Sequence, residues 1–107
     1  MRKLVCFLIV VMVCSWSVVA AEDAAKNSSG EKLFAKHCAV CHPQGGNIVN
    51  PKKTLGKTNL AANNIKTEAD IINVFRNGVP GMPTFDENAI SKKDAQEIAR
   101  YILKTFK

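Results

Sequence analysis

Polar and apolar positions from residue 28 onward fall into four short helical patterns separated by turn-forming stretches. The plainest is the last. Ala95, Ile98, Ala99, Ile102, Leu103 and Phe106 stand at i, i+3, i+4, i+7, i+8 and i+11, which puts one apolar stripe along a helix. Ser91 precedes it as a cap, with Asp94 in the first turn. A second helix is predicted from the Thr67 cap and Asp70 through Ile71, Ile72, Val74 and Phe75, and Asn77-Gly78 ends it. Ser28 and Glu31 form a capping box that opens a third helix through Leu33 and Phe34 toward Cys38. Gly30 and Phe34, four residues apart, share a face of it. A short helix over 59–64 turns Leu60 inward. Residues 43–57 read as a loop rich in Pro, Gly and Asn, and a loop of that length needs something to wrap. Val79-Pro80-Gly81-Met82-Pro83-Thr84-Phe85 reads as a stiff exposed turn. No segment alternates as a strand does and there is no internal repeat, so the fold class is all-α.

The first residues carry a different pattern. Met1-Arg2-Lys3 is cationic, Leu4 to Val13 is unbroken apolar, and Val18-Val19-Ala20-Ala21 is small-residued. This is the three-part layout of a secretory signal peptide, residues 1–21, cleaved after Ala20 or Ala21. Leu4 to Ala21 is also just long enough to serve as an uncleaved membrane anchor. Cleavage leaves one domain, residues 22–107. Arg2 and Lys3 leave with the leader, lowering the net charge from +6 to +4. That mild basic bias suits an acidic docking partner and excludes a dense nucleic-acid-binding face. Cys6, Cys14 and the single Trp16 leave too. The remaining chain is small for a self-sufficient core.

The two cysteines that remain are Cys38 and Cys41, followed at once by His42. Cys-x-x-Cys-His is the attachment signal for a c-type haem. Each thiol adds across one vinyl group, and the histidine then falls under the iron as an axial ligand. A zinc site would need four ligands, and a redox dithiol would sit in a βαβ setting. This chain offers neither. The cofactor is therefore one covalent haem c, with Cys38 and Cys41 as thioether residues and His42 as iron ligand. A backbone carbonyl of the following loop, near Asn50-Pro51, is expected to accept the Nδ1 proton of His42.

What fills the sixth position decides the chemistry. After the leader, Met82 is the only methionine. His37 adjoins Cys38 on the wrong side and cannot reach. Met82 is the expected second axial ligand, alongside His42. A thioether favours Fe(II), and a filled site leaves no room for oxygen or peroxide. The protein is expected to carry electrons rather than catalyse, so it has no catalytic residues.

From Gly30 to about Phe106 the chain resembles the class I c-type cytochromes, and among them the cytochrome c6 group. The matching residues are Gly30-x-x-x-Phe34, Cys38-Ala39-Val40-Cys41-His42, Gly45-Gly46-Asn47, Asn50-Pro51-Lys52-Lys53-Thr54-Leu55, Asn77-Gly78, Met82-Pro83-Thr84-Phe85 and Ala99-Arg100-Tyr101. The resemblance implies a cytochrome c fold, about four short helices wrapped around one haem. It implies a crossing of the first and last helices at Gly30 and Phe34 against Ile98 and Tyr101. It also implies a periplasmic or thylakoid-lumen electron carrier, a monomer that docks transiently on redox partner proteins at the exposed haem edge. Photosynthetic members often carry Gln eight residues before the ligand methionine; here Val74 stands there, and an anaerobic respiratory setting fits equally well. Two other functions compete: a haem-based sensor or peroxidase-like protein with an open sixth site, and a membrane-tethered cytochrome subunit of a respiratory complex.

Overall fold

The computed structural model describes residues 29–107; the leader and the Ser28 cap lie outside them. Helix α1 covers 29–37, α2 Lys57–Ala62, α3 Glu68–Asn77 and α4 Lys92–Thr105, with a single 3-10 turn over Pro43–Gly45. Among the described residues there is no strand, only an isolated antiparallel bridge between Val79 and Met82. The all-α expectation holds.

Local chemistry accounts for the helix starts. Thr67 Oγ1 accepts the Asp70 N–H at 3.2 Å, and the Asp70 carboxylate accepts the Thr67 and Lys66 N–H groups at 3.0 Å each. This is a complete capping box. The backbone hydrogen bonds from Lys66 and Thr67 hold the Asp70 carboxyl below its ordinary value. Ser91 caps α4 through the Asp94 N–H at 3.1 Å. Two expected boundaries shift. The short helix begins at Lys57 rather than Asn59. Phe106, placed on the helical stripe by spacing, is the extended residue that ends α4.

The core gathers the inward faces of all four helices: Phe34, Leu60, Ile71, Phe75, Ala95, Ile98, Ala99 and Ile102, with Ile90 from the connection before α4. Helices α3 and α4 are tied at their edge by an ion pair, Arg100 to Glu68 at 3.4 Å.

Helix α1 meets α4 at Gly30. A Cβ on Gly30 would lie 2.6 Å from the Glu97 carbonyl oxygen and 2.8 Å from the Tyr101 Cβ, so only glycine permits this approach. Ser29 Oγ donates to the Glu97 carboxylate at 2.5 Å beside it. One turn on, the Phe34 ring sits 5.4 Å from Tyr101 and 5.3 Å from Phe106. Gly30→Ala gains about 1 kcal/mol of helix propensity but forces two rigid groups apart, which costs about 1–3 kcal/mol. We expect the clash to win, lowering the guanidinium unfolding midpoint of the holoprotein.

A candidate haem-attachment site

The residues singled out by the Cys-x-x-Cys-His pattern begin where α1 ends. Cys38 N–H donates to the Phe34 carbonyl at 2.8 Å, and the Cys41 and His42 N–H groups donate to the Cys38 carbonyl at 3.2 and 2.9 Å. The motif is therefore wound as continuing turns of the helix, which fixes the spacing of the two sulfurs. Both thiols are free and half-buried. Burial pushes the Cys38 thiol up to about 11.

His42 then enters a tight reversal. Gln44 and Gly45 both take positive φ, 54° and 80°. A Cβ at Gly45 would collide with the Phe106 ring, so glycine is required there by both conformation and space. The reversal brings the Gly46 carbonyl back over the imidazole, 2.7 Å from Nδ1. The acceptor is thus Gly46 rather than a carbonyl near Asn50-Pro51. With Nδ1 donating to a carbonyl, Nε2 is the lone-pair nitrogen, which is the state a metal-ligating histidine needs.

Asn47 makes the most side-chain hydrogen bonds in the rest of the 43–57 loop, with Asn50 and Thr54 adding one turn each. Asn47 Oδ1 accepts the Val49 and Asn50 N–H groups at 3.0 and 2.9 Å, and its Nδ2 donates to the Lys53 carbonyl at 2.9 Å. Leu55 N–H donates to the Gly45 carbonyl at 2.7 Å. This bond holds the loop against the histidine reversal.

Met82 lies on the connection after α3. It is half-buried and packs against the common core, as do Cys38, Ala39, Leu55, Ile65 and Phe85. The Met82 loop touches the histidine loop: a Cβ on Gly81 would meet Val49 Cγ1 at 3.2 Å. The His37 ring sits edge-on to Phe85 at 6.2 Å. Two thiols, one imidazole with its tautomer set and one thioether, among apolar walls, fit a covalently bound haem. Among the described residues no group of three His, Cys, Asp or Glu side chains could hold a metal ion unaided.

This arrangement defines the class: a small all-α chain built to wrap a covalent haem, a c-type cytochrome. Comparison with known proteins agrees. The family described as "Cytochrome C oxidase, cbb3-type, subunit III" matches residues 25–102. Cytochrome c6 of Cyanidioschyzon merolae is 34% identical over 103 residues, 96% of this chain and 93% of its own. Cytochrome c6 of Cyanidium caldarium is 40% identical over 80 residues, 75% of this chain and 72% of its own. Among solved structures, outer membrane cytochrome F from Geobacter sulfurreducens is 49% identical, covering 73% of this chain and 99% of its own, with a TM-score of 0.71. Cytochrome c6 from the diatom Phaeodactylum tricornutum is 34% identical, covering 73% and 91%, with a TM-score of 0.66. The chain belongs to the class I monohaem c-type cytochromes, of the cytochrome c6 type. It is an electron carrier with one covalently attached haem c.

Proposed function

We propose that Cys38 and Cys41 carry the two thioether bonds, and that His42 and Met82 hold the iron from opposite sides. The observation that carries this reading is the Nδ1 contact of His42 with the Gly46 carbonyl at 2.7 Å, immediately after the two thiols. It presents Nε2 in the form a ligand requires. Haem supplies reversible one-electron Fe(II)/Fe(III) exchange. The chain's own residues hold the imidazole in one tautomer and place the Met82 loop against the histidine loop, and a bound haem would take the Met82 sulfur as its second ligand. A filled sixth position disfavours the sensor and peroxidase-like alternatives.

Partner docking is proposed at the rim of the attachment motif. Val40, Ile48, Val49 and Val79 are 76%, 62%, 61% and 47% exposed, unusual for side chains so apolar. They are contiguous through the backbone. Val40 lies between the two cysteines, Ile48 N–H donates to the Cys41 carbonyl, and Val49 reaches Gly81 beside Val79. Lys52 and Lys53 are exposed on the same loop. An apolar patch with a basic edge suits brief docking on an acidic-rimmed redox protein through a small interface.

The proposed setting is outside the cytoplasm, periplasmic or lumenal, with residues 1–21 as the leader and residues 22–107 as the working domain. Among the described residues no helix is long and apolar enough to cross a membrane.

The test is the visible spectrum of the exported holoprotein in both redox states, with carbon monoxide added to the reduced form. We expect a low-spin ferrous spectrum, a weak far-red sulfur-to-iron band when oxidised, and no carbon monoxide adduct at neutral pH. A high-spin spectrum or ready binding would overturn the Met82 assignment. A redox titration then separates the settings. A high midpoint favours a photosynthetic or oxidase partner, and a markedly lower one favours anaerobic respiration.

A further inference from the structure

Met82 sits on a loop whose two ends are brought together by consecutive residues of α3. Phe75, in the last turn of that helix, has a carbonyl with no partner further along the helix. It accepts the Phe85 N–H at 2.7 Å. The next residue, Arg76, donates from Nη1 to the Phe85 carbonyl at 2.9 Å. Both polar backbone groups of Phe85 are thus held at the foot of the helix, three residues after Met82. The rings add to the closure: Phe75 and Phe85 meet edge-on at 6.5 Å, and the Arg76 guanidinium lies 5.4 Å from the Phe75 ring centre. Inside the loop, Met82 N–H donates to the Val79 carbonyl at 3.0 Å, and Thr84 closes over Gly78.

Arg76 is half-buried, and among the described residues its guanidinium makes no ion pair. Its polar commitment is to this loop carbonyl. A hydrogen bond from a charged donor is among the stronger ones available. Arg76 does not touch the Met82 sulfur; it holds the far end of the segment that carries it.

We propose that Arg76 is the positioning residue for Met82. Its bond to the Phe85 carbonyl closes the neck of the methionine loop and sets how often the thioether leaves the iron. The inference rests on the reading of Met82 as axial ligand. Every excursion of the sulfur requires the 78–85 segment to swing outward, and the bond to Phe85 must stretch or break for it to do so. Removing the guanidinium leaves the Phe75–Phe85 backbone bond as the only polar tie at the neck.

The experiment follows imidazole binding to the ferric holoprotein by stopped flow, in the wild type, Arg76→Leu and Arg76→Lys. Imidazole enters only when the sulfur has left, so its limiting rate reports the opening of the loop. Arg76→Leu keeps the aliphatic stem and loses every donor. It should bind roughly tenfold faster, the size of effect a charged hydrogen bond supports, with a weakened far-red sulfur band. Arg76→Lys, a single-point donor without the planar fork, should fall between. Unfolding by guanidinium is measured alongside. A variant that loses stability while imidazole binds at the wild-type rate makes Arg76 merely structural and overturns the proposal. If Arg76→Leu does not accumulate as holoprotein, Arg76→Lys decides: a raised rate supports the proposal and a wild-type rate overturns it. Absence of the sulfur band from the wild type itself is the failure of the Met82 ligand reading, seen before any variant is compared.

Discussion

Replacing Met82 by alanine is expected to abolish the far-red sulfur-to-iron absorption of the oxidised protein and to open the iron to added ligands. The argument is one of supply. Among the described residues Met82 is the only methionine, and its loop touches the histidine loop where Gly81 approaches Val49. His37 is turned toward Phe85. With the thioether gone, water or an added small molecule takes its place, and the preference that soft sulfur gives to Fe(II) is lost. The reduction potential should therefore fall, by a sizeable part of the roughly 0.8 V range that axial ligands command. Carbon monoxide should bind the reduced variant readily. A variant with the wild-type spectrum and potential would refute the assignment.

The double substitution Cys38→Ser with Cys41→Ser should leave no covalently held haem. Acid acetone should extract all pigment from any holoprotein that forms, whereas the parent protein keeps it. Haem retained through that extraction would contradict the attachment reading. The fold should suffer as well. Two of the nine buried core residues among those described are alanines, and a domain this small gains little from its own apolar interior. Cys38, Leu55 and Met82 all pack at the edge of that interior, where a bound haem would complete it. Far-ultraviolet circular dichroism of the double variant should show most of the helix signal lost.

Helices α3 and α4 were legible because each carries its own capping residue. Thr67 with Asp70, Ser91 with Asp94, and Asn77-Gly78 are local signals, and the local hydrogen bonds follow them closely. The four candidate side chains stand out in the sequence, Cys38, Cys41 and His42 by spacing and Met82 as the only methionine after the leader. What spacing could not show was how the chain turns after His42. Two successive positive-φ residues, one of them Gln44, curl the backbone back within four residues, so the nearest carbonyl to the ring is that of Gly46. Gln44 is not a residue that announces a left-handed turn. Phe106 was misplaced for a related reason. Its spacing fits the α4 stripe, but the Gly45 turn offers its ring a seat that an extended backbone reaches. The tie from Arg76 to Phe85 left no signal either. It joins two residues in different elements, and an arginine near a helix end reads as an ordinary surface charge. Gly30 was a weak signal by itself and gained meaning from the resemblance, which the close approach to Glu97 and Tyr101 explains.

The crossing of α1 and α4 has a consequence for the order of events during synthesis. Phe34 can meet Tyr101 and Phe106, and Gly30 can meet Glu97, only after everything between them has left the ribosome. The segment bearing Cys38 and Cys41 emerges far earlier. For that interval Cys38 is not yet enclosed, and its thiol is free of the burial that raises it in the folded chain before haem is attached. The fold thus closes its door on the attachment residues last, leaving an early period in which they are open to modification.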